Sequence, residues 1–491
     1  MSFSKWRFGR CLILGGFIVS RLAGAASQAE EDQAKQSALA ASIQISQITA
    51  SAYALGNINA VSMARNALFS VGPYQFAAFY GAPEQGRVPV LIARRLRDNV
   101  EKPWLIAKTP FAIDDVFSNT GARDDHNLIA AAVDANGILH LSWGMHNVPL
   151  TYAQSTVSVM NQNFASQGAL SMRMEKMTGK NEEAVTYPEF FHAPDDSLLF
   201  SYRDGGAGGG SGNGNEYLNR YDAKMKQWRR VADPLVDGIS TSMNAYLNSF
   251  AYNAEGHLFA SWTIRETPDW TTNHDIYLAL SKDGGTSWMS YDGKPLGKTI
   301  NRQSADAAAK ILALPIGSRL INQTSMAIDA FGRPQIATWW SPQISPGHGT
   351  RQYMLVWHDG HHWRSSQVSD REDVEANDPS GDKVREMGRP LVLTDKTGRT
   401  LVITRSAAAG MNVGDTFNRL MAYWSSDRIH WAHGLLSETN PGVWEPVFDL
   451  DLWQKENKLA LFFEPSGQGN TSGPASVLTW DEAAFFAVGG R

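Results

Sequence analysis

The chain is predicted to be all-β: a seven-bladed β-propeller with four antiparallel strands per blade. Three observations predict it. The 491 residues include 43 Gly, 16 Trp, 14 Tyr and 21 Phe, with 43% hydrophobic and only 19% charged residues. That is the composition of aromatic strands punctuated by turns in a well-packed globular protein. Second, a unit of apolar strand, Asp/Asn-Gly turn and second strand ending in aromatic or polar residues recurs about seven times. Its spacing of roughly 60 residues leaves room for four strands per unit. Third, Ser281-Lys-Asp283-Gly-Gly285-Thr-Ser-Trp288 matches an Asp-box hairpin, and Ser425-Ser-Asp427-Arg-Ile-His-Trp431 is a degenerate copy. Both are expected to be structural, on the face away from any site.

Along the chain, Lys5, Arg7 and Arg10 precede the apolar run Cys11 to Val19, and Ala23-Gly24-Ala25 follows it. This reads as a signal peptide over residues 1–25, with an apolar run too short to anchor in a bilayer. The expectation is a secreted or periplasmic protein with no membrane anchor after cleavage. Cys11, the only cysteine, leaves with the signal. Residues 26–56, rich in Ala, Gln, Ser and Glu, read as an N-terminal leader, and residues 57–491 as the propeller. The repeats are Ala67–Tyr80, Asn127–Trp143, Phe190–Tyr202, Ser249–Trp262, Met326–Trp339, Leu391–Thr404 and Val447–Phe463. Turns such as Asp134-Ala-Asn-Gly137 and Asp329-Ala-Phe-Gly332 are hairpin signals. Which strand closes the ring is left open by the sequence.

Propeller geometry then selects candidate residues. The innermost strand of a blade starts on the upper face and the second strand returns there. Residues before first strands and after second strands therefore gather at one axial mouth. Before first strands stand His126, Tyr187, Tyr246, Arg389 and Glu445; after second strands stand His146, Arg203, Arg265 and Arg405. The net charge of −5 argues against a nucleic-acid partner, so this cationic set is a local concentration suited to anions. Arginine pairs with carboxylate or sulfate through two hydrogen bonds. Singly, each residue has a structural explanation: His and Tyr as strand caps, Arg389 and Arg405 equally well as partners of acidic neighbours. The set His126, His146, Tyr187, Arg203 and Tyr246, drawn from three successive blades, is more specific than any member. The stretch Gly205 to Gly214 lacks the Lys-Ser/Thr of a phosphate loop and reads as a flexible or close-packed loop beside the groove.

These side chains suit β-elimination from a uronate. The carboxylate must be neutralised to acidify the C5 proton, a task for Arg or His. The proton must then be abstracted and the C4 leaving oxygen protonated, tasks for His and Tyr. No cofactor is required. No zinc-type His/Glu spacing is present; His192, His274 and Asp275 are expected in core or surface roles, and a structural metal ion is left open.

The motifs Arg123-Asp-Asp-His126-Asn, His140-Leu-Ser-Trp-Gly-Met-His146, Thr186-Tyr187-Pro188-Glu-Phe and Tyr202-Arg203-Asp-Gly with Ser211-Gly-Asn-Gly214 resemble the BNR-type seven-bladed propeller ulvan lyases. The resemblance is most specific from about Arg123 to Tyr246. It implies an acidic, sulfated polysaccharide partner and β-elimination at rhamnose(3-sulfate)–uronate linkages, glucuronate or iduronate, leaving unsaturated uronate ends. It further implies His126 as base and Tyr187 as acid, roles that could exchange with the C5 epimer. By the same resemblance His146 and Arg203 neutralise the carboxylate and Tyr246 positions the sugar; Arg265, Arg389 and Arg405 are further candidates for substrate binding. Two alternatives stand beside it. A sialidase-type hydrolase would use Arg203, Arg265 and Arg405 as an arginine triad and pair Tyr246 with Glu266, although no early Arg-Ile/Leu-Pro motif occurs. A non-catalytic propeller would simply retain acidic glycans.

Overall fold

A strand that is apolar on both faces needs a sheet packed on either side, and seven antiparallel sheets meet this requirement as a seven-bladed β-propeller. The structure, a computed structural model, describes residues 30–487 apart from 64–65, 98–101, 162, 166–167, 208–211, 343–349, 372–386 and 408–417. The expected signal peptide and the centre of the Gly-rich stretch lie outside the described residues.

Blades are numbered here from the first complete one. Their innermost strands are Leu68–Val71, Ile129–Val133, Val185–His192, Ala245–Tyr252, Ser325–Ile328, Leu391–Thr394 and Val447–Phe448. Each pairs with the strand that follows it. The core lies between blades. Phe76 and Val90 of blade 1 share a cluster with Ile129 and Leu141 of blade 2, and Leu199 and Leu218 of blade 3 share one with Ala260 and Tyr277 of blade 4.

The repeating Asp-x-x-Gly turn has a physical basis. Asp134 Oδ1 accepts from the backbone N–H of Asn136 and Ile138, both at 2.9 Å. Asp329 and Asp395 do the same in blades 5 and 6. The carboxylate thus closes the turn that the backbone alone would leave unsatisfied, and the glycine adopts φ near +76° at Gly137 and +74° at Gly332. The Asp-box is built likewise: Asp283 accepts from Ser281, Ser287 N and Ser287 Oγ at 2.6–2.8 Å, and the Trp288 indole donates to Gly285 O.

The segment expected to be a leader is part of the propeller. Residues 30–41 form a helix whose Gln36 side chain donates to Leu435 O and accepts from Leu435 N, at 2.8 and 2.9 Å. It thereby covers the outer strand of blade 6, supplying a strand's hydrogen bonds to an open edge. Ile43–Tyr53 then pairs antiparallel with Ser472–Trp480 as the outermost strand of blade 7. The N-terminal strand therefore closes the ring, and the propeller begins at Ile43 and not at residue 57. Amphipathic patterning in a single edge strand does not state its partner, which is more than 400 residues away.

Two blades depart from four strands. Blade 4 carries Pro295–Gly297 and Lys310–Leu312 in addition. Blade 3 gains His146–Val148, donated from the end of blade 2 to the inner strand Val185–His192. That exchange is what positions the site.

Candidate active site

The short strand His146–Val148 pairs His146 with Thr186 and Val148 with Val185. It carries His146 across the blade boundary to the residue before Tyr187. Tyr187 lies inside the first strand of blade 3, not before it, at a β-bulge where the register steps from Thr186–Arg203 to Glu189–Ser201. Its φ is +60°, a left-handed conformation that costs a bulky side chain about 1–3 kcal/mol and is retained where surrounding structure dictates it. The bulge re-aims the phenol toward the upper mouth. Arg203 and Tyr246 likewise sit within the upper ends of their strands, and Arg265 is the last residue of Leu258–Arg265.

Six of the expected residues form one contiguous group. The His126 and His146 rings stack, centroids 4.1 Å apart and planes at 16°. His126 is 5.7 Å from the Tyr187 ring, and Tyr187 is 6.0 Å from Tyr246. The Arg203 guanidinium carbon lies 4.9 Å from the Tyr187 ring and 5.1 Å from that of Tyr246, in cation–π contact with both. Arg265 Nη1 donates to the Tyr246 hydroxyl at 3.2 Å. His126, His146, Tyr187 and Arg265 are partly exposed, whereas Arg203 is 1% exposed and Tyr246 2%. Among the described residues, the Arg203 nitrogens have no well-formed hydrogen bond. A charge so buried acts on the site through the two tyrosines, and Arg265 is the arginine that reaches the open face.

The electrostatics follow. Burial and the neighbouring Tyr246 hold the Tyr187 phenol well above its ordinary range, against the opposing pull of Arg203, Arg265 and Arg389. At Tyr246 burial pushes the same way, but Arg203 and Arg265 outweigh it and lower the phenol. The two tyrosines are thus driven apart, the arrangement expected where acid and base roles are divided. Burial also opposes ionisation of Asp124, yet hydrogen bonds to His126 and His146 prevail and hold its carboxyl well below the usual range. Asp124, which the sequence reading passed over, is the missed member of the site; its spacing two residues before His126 was the available signal.

Beneath Arg203, its cross-strand partner Glu216 is pushed up to about 8, chiefly by burial and secondarily by Glu189, with Arg203 opposing. A carboxyl whose folded value is raised binds its proton more tightly in the folded state. Its stabilising contribution is complete below the ordinary carboxylate range and is lost as pH rises toward about 8. Glu216→Gln is therefore expected to flatten the decline of Tm between about pH 5 and 9; a wild-type slope in the variant would place an ionised Glu216 in the fold.

Arg389, Arg405 and Glu445 are not presented to a ligand. Arg389 Nη1 contacts both oxygens of Glu445 at 3.1 Å and its Nε donates to Asn322 O at 2.9 Å. Glu445 also accepts from Ser62 N at 3.0 Å. This buried knot joins the approaches to blades 1, 5, 6 and 7. Arg405, fully buried, donates from Nε to Trp444 O at 2.7 Å. Their place in the set of possible substrate contacts is corrected accordingly: strand-end positions near the axis are also where blades are tied together. The hydrolase arrangement is not assembled either, since Glu266 binds His274 at 2.7 Å and Arg302 at 2.9 Å.

Asp124, His126 and His146 form a group of potential ligands within 4.8 Å of one another. However, both Nδ1 atoms are engaged by Asp124 and the rings are nearly parallel, so the Nε2 lone pairs run side by side instead of converging on an ion. His192 donates to Val133 O at 3.2 Å, and His274 sits between Glu266 and Asp275; they occupy separate blades and, among the described residues, gather no ligand set. A cavity of 480 Å³ lies at the opposite mouth, among first-hairpin turns that include Asn253, Asp329 and Asp395. It contains none of the grouped residues.

Residues 74–371 match the BNR repeat-containing family. The chain belongs to that family. A stretch of 229 residues is 27% identical to the short-isoform ulvan lyase of Alteromonas sp. (strain LOR), covering 36% of this chain and 42% of the relative. Another of 224 residues is 25% identical to the long isoform from Pseudoalteromonas sp. (strain PLSV), covering 36% and 22%. The chain thus spans less than half the length of these curated relatives. Among solved structures, an ulvan lyase bound to -[GlcA(1-4)Rha3S]- superposes with a TM-score of 0.63 at 13% identity, over 90% of this chain and 99% of the other. The polysaccharide lyase Uly1 superposes with 0.59 at 14% identity, over 89% and 98%. At such identities the likeness concerns the fold, and this member of the BNR repeat-containing family shares that fold nearly end to end.

Proposed function

We propose that the protein is an exported polysaccharide lyase that cleaves the rhamnose(3-sulfate)–uronate linkages of ulvan by β-elimination. The observation that carries this reading is the open His126–Tyr187 pair, backed by a buried guanidinium and set beside the second histidine. The relatives named above, themselves ulvan lyases, support the substrate; the export rests on the N-terminal segment.

In the reaction, His146 and Arg265 meet the uronate carboxylate and offset its charge, which makes the C5 proton removable. His126 takes that proton; its electron pair forms the C4–C5 double bond as the C4–O4 bond breaks. Tyr187, kept protonated by its raised pKa, gives its proton to O4. Arg203 limits the cost of the phenolate so formed, from beneath the ring. No cofactor takes part in these steps.

The split between the arginines is testable. Arg203→Ala is expected to lower kcat by about 10²-fold with KM little changed, whereas Arg265→Ala both raises KM and lowers kcat; the reverse pattern would return direct carboxylate binding to Arg203. The reading as a whole is tested by following ultraviolet absorbance on ulvan, gum arabic, pectin and glycosaminoglycans. A new unsaturated-uronate band with ulvan is expected. Saturated reducing ends would indicate a hydrolase, and retention of glycan without product a binding propeller.

A further inference from the structure

One carboxylate serves two histidines in this site. Asp124 Oδ1 lies 2.6 Å from His126 Nδ1 and Oδ2 lies 2.7 Å from His146 Nδ1. The carboxylate is itself fixed: it is 7% exposed and accepts from the backbone N–H of His126 at 3.1 Å. We propose that Asp124 is the positioning residue of the site, locking both histidines in the Nδ1–H tautomer so that each turns Nε2 to the substrate. The inference rests on the lyase reading and goes beyond it, because it explains how two adjacent histidines take different roles.

The argument is one of hydrogen-bond capacity. An ionised carboxylate can only accept, so each Nδ1 facing it must carry hydrogen. Proton exchange with substrate is then confined to Nε2, on the far edge of each ring. The stacking adds a second constraint. Two imidazolium rings 4.1 Å apart repel each other, and a single anion between them compensates one positive charge, not two. Only a ring protonated at Nε2 can donate to the uronate carboxylate, and only a ring with a free Nε2 lone pair can act as base, so the two rings divide these roles when substrate is bound. Among the described residues, the pair is also flanked by Asp125 from the same loop, Tyr187 from blade 3, and Tyr246, Arg203 and Arg265 behind it, and Asp124 hydrogen-bonds to both rings.

The test is nitrogen-15 NMR of the histidine rings together with kinetics of Asp124→Asn. In the wild-type protein at about pH 8, both histidines are expected as Nδ1–H tautomers; an Nε2–H tautomer at either would overturn the proposal. An Asn amide accepts from one Nδ1–H but donates to the other Nδ1, so one ring is expected to switch to Nε2–H. Turnover of ulvan should fall at least about 100-fold, in line with the loss of about 10⁴ when the orienting Asp of a Ser-His-Asp triad is amidated. Unchanged tautomers, or kcat/KM within threefold of wild type, would also overturn it. Asp124→Glu keeps the anion and is expected to restore both Nδ1–H signals and part of the turnover; a merely structural role predicts no such recovery. The tautomers are read without substrate. If they behave as expected while wild type leaves ulvan intact, the positioning role stands and the lyase reading fails.

Discussion

Tyr187→Phe is expected to lower kcat/KM on ulvan by about 10³-fold or more, with the fold and glycan retention preserved. Only one oxygen is removed. The ring contacts to His126 and Tyr246 and the cation–π contact from Arg203 involve the aromatic ring itself, and phenylalanine supplies that ring. The left-handed φ at position 187 is imposed by the bulge and is no worse for Phe than for Tyr. What disappears is a phenol that burial and Tyr246 keep protonated, the property a leaving-group acid needs. Initial rates by ultraviolet absorbance, with circular dichroism and Tm as controls, decide the matter. Turnover within tenfold of wild type in a folded variant would transfer the acid role elsewhere.

Arg389→Ala is expected to destabilise the protein by about 3–5 kcal/mol. The arginine and Glu445 are almost wholly withdrawn from water, at 4% and 0% side-chain exposure, and removal of one partner leaves an uncompensated buried charge. Burial raises the Glu445 carboxyl, but Arg389 and the backbone N–H groups of Arg389 and Ser62 outweigh it and hold it below its ordinary value. A depressed carboxyl contributes stability above its unfolded-state pKa and loses it as pH falls. The penalty of Arg389→Ala should therefore be largest near neutral pH and shrink in acid, where the orphaned Glu445 can be protonated. Urea unfolding at about pH 4 and pH 7 measures both, and adding Glu445→Gln to the variant should recover part of the loss. A penalty below about 1 kcal/mol at neutral pH would mean that the knot does not hold the inner strands together.

The comparison of the two arginine pairs shows why candidate residues were only partly legible. In sequence Arg203, Arg265, Arg389 and Arg405 all stand at strand ends on the upper face, and apart from the motif around Arg203 nothing local tells them apart. In the structure Arg265 is half-exposed beside Tyr246, Arg203 lies under two tyrosine rings, and Arg389 and Arg405 are spent on Glu445 and a backbone carbonyl. A strand-end position fixes height above the turns but not direction around the axis. The latter depends on which blade packs alongside.

The sequence by itself determined the repeat and the fold, because the Asp-x-x-Gly turns and Asp-box hairpins are closed by side chains acting on their own backbone within four residues. It also determined which residue types reach the upper mouth. Only the tertiary structure decided that residues 43–53 close blade 7, that His146 crosses into blade 3, that a bulge turns Tyr187 upward, and that Asp124 holds both histidines. Each of those is a contact between different blades or a departure from regular register. Such features are set by packing between elements, on which local pattern is silent.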